Sequence, residues 1–409
     1  MPNFVTSKGR NTGDAPLNIA APAETQLKIK THTYMKFVIS STLLSAHLQT
    51  LGRVISTKNT MPILENFLFE IGEDKKLTIV ATDSEIRMTT HVDLVEAETA
   101  IRFTVNARTI QDAVKELPEQ PLSIYVNETN QEITMEYQNG KYKFMGQPAD
   151  EYPAAIALDG DISELHLPGQ TLFNGINRAL FATADDVLRP VLNCIYFDLS
   201  ADSLTMVASD GNRMACDTVK PTSVENPSTF LLPKKPSLLI KNILQKEQGE
   251  VGIRFTKRSA QIETSEYLVE CRLVEGRFPK YTSVIPRDNP NVVTINRQAM
   301  MSALRRVLIF ANANSALAKL HIEANKLTLS SQDIDFSMSA EEGLLCEYSS
   351  MPVTIGFKGT YLMELLNNLE GDEVVIRLAD ASRAGVIQPA QQKEGENILM
   401  LLMPMVLND

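Results

Sequence analysis

The chain has 409 residues, 44% of them hydrophobic and 22% charged, which excludes an intrinsically disordered protein and a small scaffold held by cross-links. No apolar run reaches the roughly 18 residues of a membrane span, and no charged start plus apolar block marks a secretory leader, so a cytoplasmic protein is expected. The net charge of −11 argues against a nucleic-acid partner unless the positive side chains are sorted onto one surface.

Residues 1–34, rich in Thr, Asn, Ala and Pro, read as a disordered leader or tag. MKFVIS then reads as a strand, and LLSAHLQTLGRVI places Leu44, Leu48, Leu51 and Ile55 at helical spacing. NFLFEI, KLTIVAT and EIRMTTHV alternate as strands. IRFTV, the helix ARTIQDAVKEL, and the strands LSIYV, EITMEY and KYKFMG repeat that order. The whole pattern then recurs. KLTIVATDSEIRMT, SLTMVASDGNRMAC and KLTLSSQDIDFSMS align on Leu77, Leu204 and Leu327 and on Asp83, Asp210 and Asp333. FTVNARTIQDAVKEL, FLLPKKPSLLIKNIL and IGFKGTYLMELLNNL hold the same register and end on Leu117, Leu244 and Leu369.

Three homologous units of about 125 residues follow, at 35–155, 156–287 and 288–409, each made of two βαβββ halves. Short turns between strands imply antiparallel sheets with helices on one face, an α+β fold. The repeated aspartates fall where strands turn, which points to a structural role.

The helical segments are net positive although the chain is acidic. Residues 233–246 and 297–319 contain basic residues and no acidic ones. Charge alone nominates Arg53, Arg178, Lys234, Lys235, Lys241, Arg305 and Arg306 for a phosphate-backbone surface. Zinc-finger spacing, helix-turn-helix signatures and aromatic RNA-binding motifs are missing, so contact without base readout is expected.

No phosphate-binding loop, GxGxxG, GxSxG or HExxH motif occurs. The five histidines, His32, His47, His91, His166 and His321, stand apart. Cys194, Cys216, Cys271 and Cys346 form no CxxC pair and read as buried fillers, so neither metal nor cofactor is expected. Two other classes stay open from residues alone. One is an enzyme assembled between units, which requires a His and carboxylate cluster. The other is a scaffold that binds only proteins through the Met-rich terminal strand.

MKFVISSTLLSAHLQTLGRVIS, TMPILENFLFEI, VASDGNRMA, RLVEGRFPKYTSVIP, FKGTYLMELLNNL and LLMPMVL together resemble the bacterial DNA polymerase III beta subunit, the sliding clamp, from Met35 to Asp409. That resemblance implies the DNA-clamp fold. By that resemblance, two protomers would form a head-to-tail ring with sheets outside and helices lining a hole around double-stranded DNA. It implies a non-catalytic processivity factor that an ATP-using clamp loader places on DNA. Such a ring would tether the replicative polymerase and other proteins bearing a short clamp-binding peptide.

Motif matching adds Lys58 and Arg108 to the DNA-binding candidates. It assigns the protomer interface to Lys143 and Phe144 against Ile309 and Phe310, whose burial would contribute about 3–6 kcal/mol before association costs. It assigns a partner-peptide pocket to Leu192, Ser209, Gly211, Arg213, Met214, Pro279, Val284, Tyr361, Leu401, Met403, Pro404 and Met405. Strand alternation would put Met403 and Met405 on one face, where flexible thioethers suit varied partners. Pro190 and Val191 stand where some clamps have two aromatics, Ser283 where some have a basic residue, and Asn408 and Asp409 extend the terminus.

Overall fold

The computed structural model describes residues 34–407, apart from Thr57, Thr60, Thr99, Val187 and residues 221–226. The segment 1–33 and the terminal Asn408 and Asp409 therefore lie outside the described residues. The first unit runs β1 (Tyr34–Ser40), α1 (Ser41–Leu51), β2 (Asn66–Ile71), β3 (Lys76–Thr82), β4 (Ile86–Asp93) and the two-residue β5 (Glu96–Ala97). Its second half is β6 (Ile101–Asn106), α2 (Ala107–Val114), β7 (Pro121–Asn127), β8 (Glu132–Tyr137) and β9 (Gly140–Met145). Tyr34, the last residue of the expected leader, belongs to β1 and faces Asn127 of β7.

The second unit repeats the order as β10 (Ser163–Pro168), α3 (Gly169–Leu180), β11 (Cys194–Leu199), β12 (Leu204–Ser209) and β13 (Arg213–Val219). It continues with β14 (Ser228–Pro233), α4 (Lys234–Leu244), β15 (Glu250–Phe255), β16 (Ser259–Glu263) and β17 (Tyr267–Arg272). The third comprises β18 (Asn291–Asn296), α5 (Arg297–Val307), β19 (Leu317–Glu323), β20 (Lys326–Asp333) and β21 (Met338–Leu345). It closes with β22 (Val353–Lys358), α6 (Gly359–Asn367), β23 (Glu373–Leu378), β24 (Gly385–Pro389) and β25 (Glu396–Leu402).

Local chemistry starts the helices. The side chains of Ser40, Asn106 and Asn296 accept hydrogen bonds from the backbone N–H groups of Leu43, Thr109 and Ala299, satisfying donors that the first turn leaves free. In the second unit Pro168 and Pro233 precede the helices instead. Both end strands, β10 and β14, that lie at sheet edges, where a missing N–H breaks no ladder.

The repeated aspartates hold the hairpins. Asp83 Oδ1 accepts from the N–H of Ile86 at 2.8 Å, Asp210 Oδ1 from Asn212 at 2.8 Å, and Asp333 Oδ1 from Asp335 at 3.0 Å. The residue after Asp83 in that turn, Ser84, has φ 79°, and its counterpart Gly211 has φ 94°, so the second copy places a glycine where L residues are strained.

All described sheet pairings are antiparallel, and the sheets ignore unit boundaries. Two eight-stranded sheets form: one joins β17 of the second unit to β4 of the first, the other joins β13 of the second to β25 of the third. A five-stranded sheet ends at β9, and a four-stranded sheet ends at β21. Within each unit the helices pack in pairs, α1 with α2, α3 with α4 and α5 with α6. Their buried faces, Leu44, Leu48 and Leu51 in α1 and Leu362, Leu365 and Leu366 in α6, meet sheet residues such as Phe37, Phe67 and Phe357 in one core that runs through all three units. The four cysteines are buried and unpaired, and burial pushes the Cys194, Cys216 and Cys271 thiols up to about 12.

Candidate functional site

The helix cations separate into free and engaged groups. Arg53 and Lys58, just beyond α1, and Arg305, in the last turn of α5, are exposed and have no acidic partner among the described residues. Lys241 is half-buried and likewise without one. Arg108 is 92% exposed and pairs with Asp112, one turn on, at 3.8 Å. Lys234 reaches Asp185 at 2.6 Å. Lys235 ties units together, donating to the Val54 carbonyl at 2.9 Å and pairing with Asp83 in the first unit. Arg306 grips Glu342 with Nε 3.0 Å from one carboxylate oxygen and a second nitrogen on the other.

Arg178 overturns its expected role as a DNA contact. Its side chain is 3% exposed and lies against Asp217, 1% exposed, at 3.0 Å, with Glu370 at 3.0 Å and Glu396 at 3.4 Å from the third unit. Burial pushes the Asp217 carboxyl up while the guanidinium opposes that shift. A buried arginine surrounded by three carboxylates cannot meet a phosphate.

A groove of about 320 Å³ opens where β13 meets β25. Nine of the expected pocket residues line it: Leu192, Ser209, Gly211, Arg213, Met214, Pro279, Val284, Leu401 and Met403. Tyr361, Pro404 and Met405 do not. Tyr361 stands behind Arg213, whose guanidinium lies 4.2 Å from the ring centroid and also pairs with Asp210 and Glu364.

The expected alternation past Leu402 fails because β25 stops there. The Met403 N–H goes to the Asn212 carbonyl at 2.8 Å, whereas the Met405 N–H goes to Gly356 of β22, also at 2.8 Å. The chain thus leaves Met403 in the groove and carries Pro404 and Met405 away from it. Asn212, Phe278, Lys280 and Tyr281 also line the groove. Three of these sit in the EGRFPKY motif. Phe278 stacks on Tyr196 at 4.9 Å between centroids, and the Tyr281 hydroxyl donates to Asp198 at 2.8 Å, so the wall is rigid.

At the open edges, Lys143 pairs with Glu132 of β8 at 2.9 Å, and Phe144 lies half-buried against the core. Ile309 is 72% and Phe310 37% exposed. Ile334 and Phe336, in the turn before β21, are exposed at 80% and 74% and were not singled out by sequence. Alternation signals only strands, so apolar residues in a turn carry no comparable pattern. No group of His, Cys, Asp and Glu suited to a metal occurs among the described residues, and no helix is long and apolar enough to cross a membrane.

Repeated βαβββ halves joined edge to edge, with helix pairs on one face, are the architecture of a sliding clamp. The DNA polymerase III beta subunit models match in order: the N-terminal domain over residues 35–157, the central domain over 166–280 and the C-terminal domain over 282–405. The beta sliding clamp of Pseudomonas putida is 27% identical over 367 residues, 90% of this chain and 99% of that one. The Escherichia coli clamp is 25% identical with the same coverage. A crystal structure of the Pseudomonas aeruginosa sliding clamp bound to griselimycin superposes with a TM-score of 0.87 at 26% identity, covering 92% of this chain and 100% of that one. The chain belongs to the DNA polymerase III beta subunit family. It is a sliding clamp, a replication factor with no catalytic activity of its own.

Proposed function

We propose that two copies close head to tail into a ring around double-stranded DNA, β9 of one adding to β21 of the other, with the helices of units 35–155, 156–287 and 288–409 facing the duplex. One observation carries this reading: the two junctions inside the chain share a single strand register, and among the described residues β9 and β21 are left as sheet edges without a strand partner.

In the first junction Leu268, Val269 and Glu270 of β17 face Thr89, Met88 and Arg87 of β4. Traced through the hairpin registers, the β17 residues correspond to Lys141, Tyr142 and Lys143 of β9, and the β4 residues to Glu341, Ala340 and Ser339 of β21. The second junction, with Cys216 facing Leu399 and Ala215 facing Met400, translates to the same pairs, Lys141 with Glu341 and Tyr142 with Ala340. Opposite charges meet in that register, as cross-strand pairs favour. An unprotected edge is otherwise a liability.

The groove at β13 and β25 fits a short peptide of an aliphatic and an aromatic residue, through which the replicative polymerase and other partners are tethered. A clamp loader opens and places the ring in the cytoplasm, since the chain has no ATP-binding motif of its own.

A Tyr142→Cys/Ala340→Cys variant tests the ring. Directly opposed residues of an antiparallel pair have Cα atoms about 4.5–5.5 Å apart, within disulfide range. Oxidation should give a covalently closed dimer that stays on circular DNA in high salt and leaves once the circle is cut. The native thiols are buried and do not compete. A Lys141→Cys/Ala340→Cys control, one residue out of register, should cross-link poorly. Equal cross-linking of both, or release from circles as fast as from linear DNA, would refute the reading.

A further inference from the structure

The buried arginine at the second junction has a counterpart at each of the others. Counted from the helix caps Ser40, Pro168 and Asn296, Arg178 of α3 corresponds to Thr50 of α1 and Arg306 of α5. Through the hairpin registers, Asp217 of β13 corresponds to Thr90 of β4 and Glu342 of β21. The same helix and strand positions therefore hold an ion pair in the second and third units and two threonines in the first.

Each internal copy receives groups from across its junction. Arg178 receives Glu370, from the end of α6, and Glu396, at the start of β25. Thr90 donates to the Glu266 carbonyl at 2.8 Å, and beside it Tyr267 shares a 2.9 Å hydrogen bond with His47. A cleft of about 430 Å³ lined by Thr50, His47 and Tyr267 remains there, where the second junction has its arginine. Among the described residues, the third copy receives no group from another unit. Arg306 is 60% and Glu342 29% exposed, although their bidentate geometry is already formed.

The elements that would supply the seal are the segment between α2 and β7 and the turn between β8 and β9, at the far end of the same chain. That turn is built like its counterpart: the Gln138 N–H donates to Gln120 Oε1 at 2.9 Å, as the Ser265 N–H donates to Glu247 Oε2 at 2.9 Å in the second unit.

We propose that Arg306 and Glu342 form the third copy of this junction plug, covered on ring closure by the partner's Gln120 and the partner's Gln138, and that the pair sets subunit affinity instead of contacting DNA. The inference rests on the ring reading above. A preformed fork loses little side-chain freedom when covered, and exclusion of water strengthens the attraction within it.

The test is sedimentation equilibrium on the full chain carrying Arg306→Ala, Glu342→Ala, both, or the exchange Arg306→Glu/Glu342→Arg, alongside duplex association of the same proteins. Each single change should raise the dimer dissociation constant about tenfold, the double change should raise it no further than either single, and the exchange should restore part of the loss. The pair is exposed in the free chain, so thermal unfolding of the monomer should stay unchanged and mark these as effects on assembly. Unaltered dimerisation of the single variants with weakened duplex association would make Arg306 a DNA contact and overturn the inference while sparing the ring. A wild-type chain that stays monomeric at every concentration would overturn both.

Discussion

Arg178 and Arg305 are both arginines near the end of a helix, and only their neighbours separate a buried structural role from a surface one. Sequence placed both in a basic helical segment. It could not show that Asp217, Glu370 and Glu396, remote along the chain, converge on Arg178, because a charge pattern records sign and position but not what folds against them. The repeated aspartates were legible for the opposite reason: a carboxylate that accepts from backbone N–H groups two and three residues on is a local device visible in a local motif. Arg178→Ala should lower unfolding stability by about 3–5 kcal/mol, since it strands a buried carboxylate whose Oδ1 already lacks a hydrogen-bond partner. An Arg178→Met/Asp217→Leu double variant should recover much of that loss. Arg305→Ala should leave stability within about 0.5 kcal/mol of the parent. Urea denaturation of the four proteins checks this, and an Arg178→Ala chain as stable as Arg305→Ala would show that the plug contributes nothing.

The strand that ends too early shapes the groove. Alternation along ILMLLMPMVL reads as one continuous strand, and it holds to Leu402. There the ladder partners change from β13 to the Asn212 turn and then to β22, so Met403 and Met405 separate. Such a handover depends on three segments meeting, which no single-strand pattern encodes. The halves themselves were readable because each carries its own period and its own helix start. Met403, 46% exposed over a floor of Leu192, Met214 and Leu401, is the flexible wall of the groove, while Phe278 and Tyr281 are fixed by stacking and hydrogen bonding. Met403→Asp should place a charge against the apolar floor and weaken a fluorescent peptide ending in leucine and phenylalanine by at least about tenfold, a cost of roughly 1.4 kcal/mol or more. Met405→Asp should change affinity less than threefold, because that side chain does not line the groove. Fluorescence anisotropy distinguishes them. Equal losses would mean that the peptide follows the chain end instead of the groove.

A chain of net charge −11 that binds a polyanion must rely on the distribution of its charge and, in the proposed ring, on closure. Of the nine cations nominated for the duplex, Arg108, Arg178, Lys234, Lys235 and Arg306 pair with carboxylates, while Arg53, Lys58, Lys241 and Arg305 have no acidic partner among the described residues. Free cations on an acidic chain favour weak, salt-sensitive contact, which a molecule that must move along the duplex requires. In the proposed ring, retention then comes from topology. Affinity and residence should consequently separate in a variant carrying Arg53→Ala, Lys58→Ala and Arg305→Ala. Each neutralised phosphate contact contributes about 0.9 to the slope of log affinity against log salt, so the slope for open duplex should fall by roughly 2 to 3. Release from a covalently closed circle requires an interface to part, and no altered side chain lies on β9 or β21, so that rate should match the parent within about twofold. Residence on circles that shortened in proportion to the lost affinity would mean that electrostatic attraction, and not enclosure, keeps the protein on DNA.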